Sequence, residues 1–246
     1  MPPVQLTDDS TPETVLKHLQ ENGDAKQAER VRARGIPESS IFGTPKSIVQ
    51  KTARTLGRNQ ELAESLWASN IHEARLVAIL TAEPDKISLP VLKQWANDLW
   101  SWDIADHLAR YLLPYIPKPE LLIAYCATID STYTKRLAFA GIACSIQKNK
   151  RLSEEQFDFY RNHIQLGASD NRPHVRKAVV WALVEIGKIN DSWQESAIVF
   201  AAELIEQRGN EAWVGRNAMK DLQLLVSVPE RRRLISQKSK TGRKNG

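Results

Sequence analysis

Residues 88–117 read SLPVLKQWANDLWSWDIADHLARYLLPYIP. Ser88 is an N-cap ahead of Pro90, and proline is tolerated in the first turn of a helix. The spacing predicts a helix over 90–99. A second runs from Trp102 to Leu113 and is stopped by Pro114 and Pro117. Two helices joined by a few residues form an antiparallel pair. Within the second, Trp102 and Asp106 stand four residues apart and share a face. An aromatic ring and a carboxylate presented together suit a cationic, electron-poor group.

The same grammar extends in both directions. Towards the N-terminus, Ser10 and Thr11 open a helix that ends at Gly23, and Asp24 to Arg34 is a second, charged helix. Gly35 to Pro45 holds two glycines and two prolines and reads as loop. Helices are expected over 46–56, 59–69 and 71–81. Beyond Pro117 they are expected over 120–129, 132–148, 153–166, 172–186, 191–207 and 211–225, with Ser153 and Gln156 forming a capping box. Alternating strand patterns are nearly absent. Successive pairs with short loops predict an all-α helical-repeat array, each pair burying its face against its neighbours. A globular helical bundle is the alternative.

A chain of 246 residues holds one large domain or two small ones, and we read residues 1–228 as a single domain. The net charge of +5 is unevenly placed. Between Pro229 and Gly246 seven basic residues face Glu230 alone, so this tail carries +6 and the body −1. Affinity for a polyanion must therefore come from a local patch plus the tail. The tail, residues 229–246, is expected to be disordered. No apolar run reaches membrane-spanning length and no leader is visible, so a cytoplasmic protein without membrane contact is expected. Cys126 and Cys144 fall in apolar helical segments and read as reduced core thiols.

Several chemistries find no support. There is no Walker-type loop, no dinucleotide fingerprint and no Gly-x-Ser-x-Gly elbow. The histidines (His18, His72, His107, His163, His174) show no metal-ligand spacing. Neither metal nor cofactor is expected. Taken singly, Trp102 also fits a core aromatic, Asp106 a partner of Arg110, and Asp103 a first-turn acid. Trp67 and Trp95 read as core. His72, Glu73 and Arg75 read as a helix end with solvated charges, with a supporting role for Arg75 also open.

Three blocks are similar to the AlkD-like DNA alkylation repair family, in the same order and spacing. They are residues 62–69 (LAESLWAS) with 72–75 (HEAR), Trp95 with 101–106 (SWDIAD), and 175–183 (VRKAVVWAL). The resemblance covers roughly residues 25 to 225 and implies a HEAT-like helical-repeat solenoid with a concave DNA-binding face. It implies a glycosylase that excises N3- and N7-alkylated, positively charged purines from duplex DNA, reading the lesion from the backbone side without a deep pocket. Trp102 and Asp106 match the catalytic ring and carboxylate, Trp181 the second ring, and Arg136 an arginine facing the DNA backbone. For Trp181 a packing role is equally open. Lys135 beside Arg136, and Arg172, Arg176 and Lys177 at the start of the Trp181 helix, are the further phosphate-binding candidates. Val184 stands where the family has arginine, and the turn 42–45 is shorter than the family's. A monomer is the simplest assembly. The alternatives are a non-catalytic binder of distorted or branched DNA, and a protein-interaction scaffold.

Overall fold

A computed structural model of the chain describes residues 6–33, 35–36, 40–228 and 233–236. Thirteen α-helices lie among them. The first seven are α1 (Pro12–Glu21), α2 (Ala25–Arg32), α3 (Lys46–Leu56), α4 (Gln60–Ala68), α5 (His72–Thr81), α6 (Leu89–Asn97) and α7 (Trp102–Tyr111). A 3-10 turn at Leu113–Tyr115 leads to α8 (Pro119–Thr128), α9 (Thr132–Asn149) and α10 (Glu154–Ala168). Then come α11 (Pro173–Gly187), α12 (Asp191–Glu206) and α13 (Gly209–Gln223). Strands β1 (Leu225–Val228) and β2 (Arg233–Ser236) follow.

Local chemistry sets the helix ends. Thr11, Asp24, Asn59, Ser88 and Asn190 each accept a backbone N–H of the first turn they precede. The capping box of Ser153 and Gln156 is formed in both directions. The all-α expectation holds, with one addition: β1 pairs antiparallel with β2, Leu225 opposite Ser236 and Val228 opposite Arg233. So part of the segment read as a disordered tail carries a strand. Its remaining residues, 229–232 and 237–246, lie outside the described ones.

The chain divides into two compact units, residues 1–122 and 123–246, where the sequence reading has one domain. In the first, α5 packs against α1, α3, α4 and α7. In the second, α11 packs against α9, α10, α12 and α13. Within each unit helices two apart in sequence are stacked: α3, α5 and α7 in one, α9, α11 and α13 in the other. That is the stacking a two-helix repeat produces. Burying α5 and α11 on most sides supplies each core. Ala74, Val77, Ala78 and Ile79 are fully enclosed in one, and Val175, Val179, Ala182 and Leu183 in the other. Each large aliphatic side chain contributes about 1.5–3 kcal/mol. Every residue singled out for chemistry within these units stands on an odd-numbered helix or at the N-cap of one.

Candidate functional site

In the first unit the site begins where α7 begins. Ser101, its N-cap, is extended, and its hydroxyl donates to Asp103 Oδ1 at 2.6 Å. The same oxygen accepts the Ile104 N–H at 3.1 Å. Asp103 Oδ2 lies 3.2 Å from Nε2 of His72 on α5. Asp103 is thus the first-turn acid the sequence offered, and it ties α7 to α5. His72 Nε2 donates to it, leaving Nδ1 buried without a hydrogen-bond partner.

Trp102 and Asp106 lie one turn apart, both half-buried. Both line a cleft of about 370 Å³ whose walls also include Lys46, Leu76, Arg110 and Tyr111. Glu73 closes one side. Its carboxylate accepts the N–H groups of Phe42 (3.0 Å) and Gly43 (2.7 Å), clamping that turn to α5. Gly43 has φ +77°, and a Cβ there would collide with Ala28 and the Asp24 carbonyl, so the clamped turn requires glycine. His107, on the cleft floor, is held neutral. Burial, and then the charge of Lys46, push its pKa from 6.5 to about 3. Its Nε2 is also buried and unpartnered.

His72, Glu73 and Arg75 correct the sequence reading. They are not solvated charges at a helix end but 2, 1 and 2 % exposed. Arg75 donates to the carbonyls of Trp67 (3.3 Å) and Asp98 (2.7 Å) and to Asn70 Oδ1 (2.6 Å). Its guanidinium lies 3.7 Å from the Trp100 ring centroid and 4.7 Å from that of Trp67. Trp67 stacks face to face on Trp95, centroids 4.3 Å apart and planes 4° apart, so those two indoles are core as expected.

The second unit carries the other candidates. Trp181 is half-buried on α11, and its Nε1–H donates to Glu185 Oε1 at 3.2 Å. That oxygen also accepts from Lys188 at 2.6 Å. Arg136 donates to the His174 carbonyl at 2.7 Å, joining α9 to the first turn of α11. Arg172 grips Asp170 through Nε (3.0 Å) and Nη2 (2.5 Å) and reaches the Asp130 carbonyl at 3.0 Å. Lys135 lies 3.5 Å from the same Asp170. Burial disfavours the charge on Asp170, but its bonds to Arg172 and the neighbouring cations outweigh that and keep its pKa below the usual carboxylate range. The Asp170 bond holds the Arg172 pKa above its ordinary value. Arg176 lies 4.1 Å from the Trp213 ring centroid, and Lys177 is exposed. Val184 is buried, as an apolar residue there permits.

The structure thus brings Trp102 and Asp106 together in one unit, and groups Lys135, Arg136 and Arg172 around the start of α11 in the other. Among the described residues no group of three or more His, Cys, Asp or Glu is placed to hold a metal ion. No helix among them is long and apolar enough to cross a membrane.

A family model described as DNA alkylation repair enzyme matches residues 15–222. No curated protein matches. A solved structure superposes with a TM-score of 0.70 at 18 % identity, covering 79 % of this chain and 83 % of that one. It is described as representing a new family of proteins related to the HEAT-like repeat DNA glycosylases, with affinity for branched DNA structures. At that identity the likeness establishes the HEAT-like repeat fold.

Proposed function

This chain belongs to the DNA alkylation repair enzyme family, and on that premise we propose that it binds duplex DNA and hydrolyses the N-glycosidic bond of cationic N3- and N7-alkylated purines. The observation that carries this reading is the placement of Trp102 and Asp106 together on one cleft. An alkylated purine is already a good leaving group, so protonating it is unnecessary. The barrier is the positive charge that develops on the sugar. Asp106 stabilises that charge and orients the attacking water. Trp102 holds the damaged nucleotide, its ring contributing ~1–2 kcal/mol where desolvated, and the family resemblance assigns the role of second ring to Trp181. Arg136, Lys135, Arg172, Arg176 and Lys177 contact phosphates, and no cofactor takes part. The protein acts as a monomer in the cytoplasm, where Cys126 and Cys144, both buried free thiols, stay reduced.

The test is release of 7-methylguanine and 3-methyladenine from methylated duplex DNA, with wild type and Asp106→Asn compared. The expected result is release by wild type and a loss of roughly 10²–10³ in rate in the variant, with DNA affinity largely kept.

The solved relative's affinity for branched DNA favours one second reading, a non-catalytic binder of distorted DNA. A folded wild type that binds a four-way junction more tightly than duplex and releases no base would establish it.

A further inference from the structure

In the second unit, charge separates by helix. α9 and α11 carry Lys135, Arg136, Lys148, Arg176 and Lys177 against Glu185 alone. The even-numbered α10 and α12 carry seven carboxylates against Arg161 alone. Between those two helices lies a groove of about 460 Å³. Phe157 and Val199 line it over the buried Phe200, and Val199 is 59 % exposed. Arg161 is neutralised there by Glu203 at 2.5 Å, its guanidinium 4.9 Å from the Phe200 ring centroid. Asp158 and Glu195 also line the groove; both are exposed, and neither forms an ion pair among the described residues. An apolar strip beside open carboxylates suits lysine and arginine, whose methylene stems cover apolar surface while the charged heads stay in water. A phosphate backbone would be repelled from it.

The course of the backbone brings a basic segment to the same place. Gln194, near the start of α12, donates through Nε2 to the Leu222 carbonyl at 2.9 Å, so α13 ends beside the start of α12. β1 leaves from that point and β2 returns to it, because Ser236 pairs with Leu225. Residues 237–246 therefore set out from the end of α12 at which Ser192 and Glu195 line the groove. They hold Lys238, Lys240, Arg243 and Lys244 and no acid. A ten-residue segment reaches up to about 33 Å, twice the ~16 Å of helix between Ser192 and Glu203. A tether this short supplies an effective concentration on the order of millimolar, so weak contacts suffice to hold it.

We propose that residues 237–246 dock within their own chain in the α10–α12 groove, with basic stems over Phe157 and Val199 and charged heads at Asp158 and Glu195. Docked there, the four charges are withheld from other polyanions. DNA must draw the segment out, and undocking offsets part of what the segment contributes to DNA affinity. Added salt screens the docking as it screens DNA binding.

The test treats the full chain at low salt with a carbodiimide, which joins a lysine amine directly to a carboxylate, and maps the cross-links by mass spectrometry. Mixing isotopically light and heavy chains separates links within a chain from links between chains. Duplex affinity is measured in parallel on wild type, on Asp158→Asn/Glu195→Gln, and on Glu61→Gln/Asp85→Asn, which makes the same charge change on the first unit. Circular dichroism checks each fold. The expected result is links from Lys238, Lys240 or Lys244 to Asp158 or Glu195 within one chain, lost when duplex is added. The groove variant should bind duplex at least threefold more tightly than the control variant. No such links in the folded wild type overturn the docking, and links only between chains assign the groove to a second copy instead. Links undiminished by bound duplex, or equal tightening in both variants, overturn the withholding of charge from DNA. Links within one chain in a protein that binds no duplex uphold the docking and sink the DNA-binding reading.

Discussion

Asp103 and Asp106 stand three residues apart on α7 in different surroundings. Asp103 is engaged with His72 and Ser101, while Asp106 follows Trp102 by one turn along the cleft. The pairing of Trp102 with Asp106 was legible because i and i+4 on a helix needs no tertiary information. The burial of His72, Glu73 and Arg75 was not. Their partners at Phe42, Gly43, Asp98 and Asp103 come from segments about 23 to 31 residues away, which no local pattern announces. His107 yields a prediction at this scale. In the fold it protonates near pH 3, against 6.5 ordinarily, because burial disfavours its charge and Lys46, His72 and Arg110 oppose it, while Asp103 favours it. Between those values the unfolded chain binds the extra proton, so stability is full above about pH 6.5 and falls as the pH drops towards 3. The loss is on the order of a few kcal/mol. Urea midpoints at pH 7.5 and 4.5 should separate for wild type, and the gap should narrow in His107→Gln. An equal gap in both would place the acid sensitivity elsewhere.

At the scale of elements, the order and type of all thirteen helices were legible, since caps, prolines and apolar spacing lie within each segment. The β1–β2 pairing was not. Four-residue runs are too short for periodicity to decide, and the pairing is made between strands. Helix contacts set two predictions. Gly167 on α10 faces Phe139 of α9 so closely that an added Cβ would overlap the ring. Gly167→Ala should cost about 1–3 kcal/mol, read as a lowered thermal midpoint. Asp170 engages Lys135 and Arg172 just ahead of α11. On the DNA-binding reading, Asp170→Asn should raise non-specific affinity several-fold and steepen the slope of log affinity against log salt by about 0.9 per phosphate gained. An unchanged slope would remove Lys135 and Arg172 from the interface.

Across the whole molecule, charge and structure are divided differently. The body through residue 228 carries −1, while the last eighteen residues carry +6. Deleting residues 237–246 removes Lys238, Lys240, Arg243 and Lys244. On the glycosylase reading, affinity for undamaged duplex should fall steeply at low salt and little at high salt, while the single-turnover excision rate on saturating methylated DNA stays within about twofold. A collapse of that rate would give the segment a part in the chemistry.

The seven tryptophans are also unequally arranged. Trp67 and Trp95 are parallel indoles within van der Waals reach, both in the first unit. In the second unit, Trp181, Trp193 and Trp213 neighbour a glutamate, a phenylalanine and an arginine. Two chromophores held that close share their excited states, so the stacked pair gives the first unit an optical signature of its own. In a melt, the ellipticity from that pair in the near ultraviolet reports when α4 and α6 part, while the helical signal near 222 nm sums both units. If the two curves separate, the halves of the chain melt as distinct cooperative bodies, and the protein carries the probe that tells them apart.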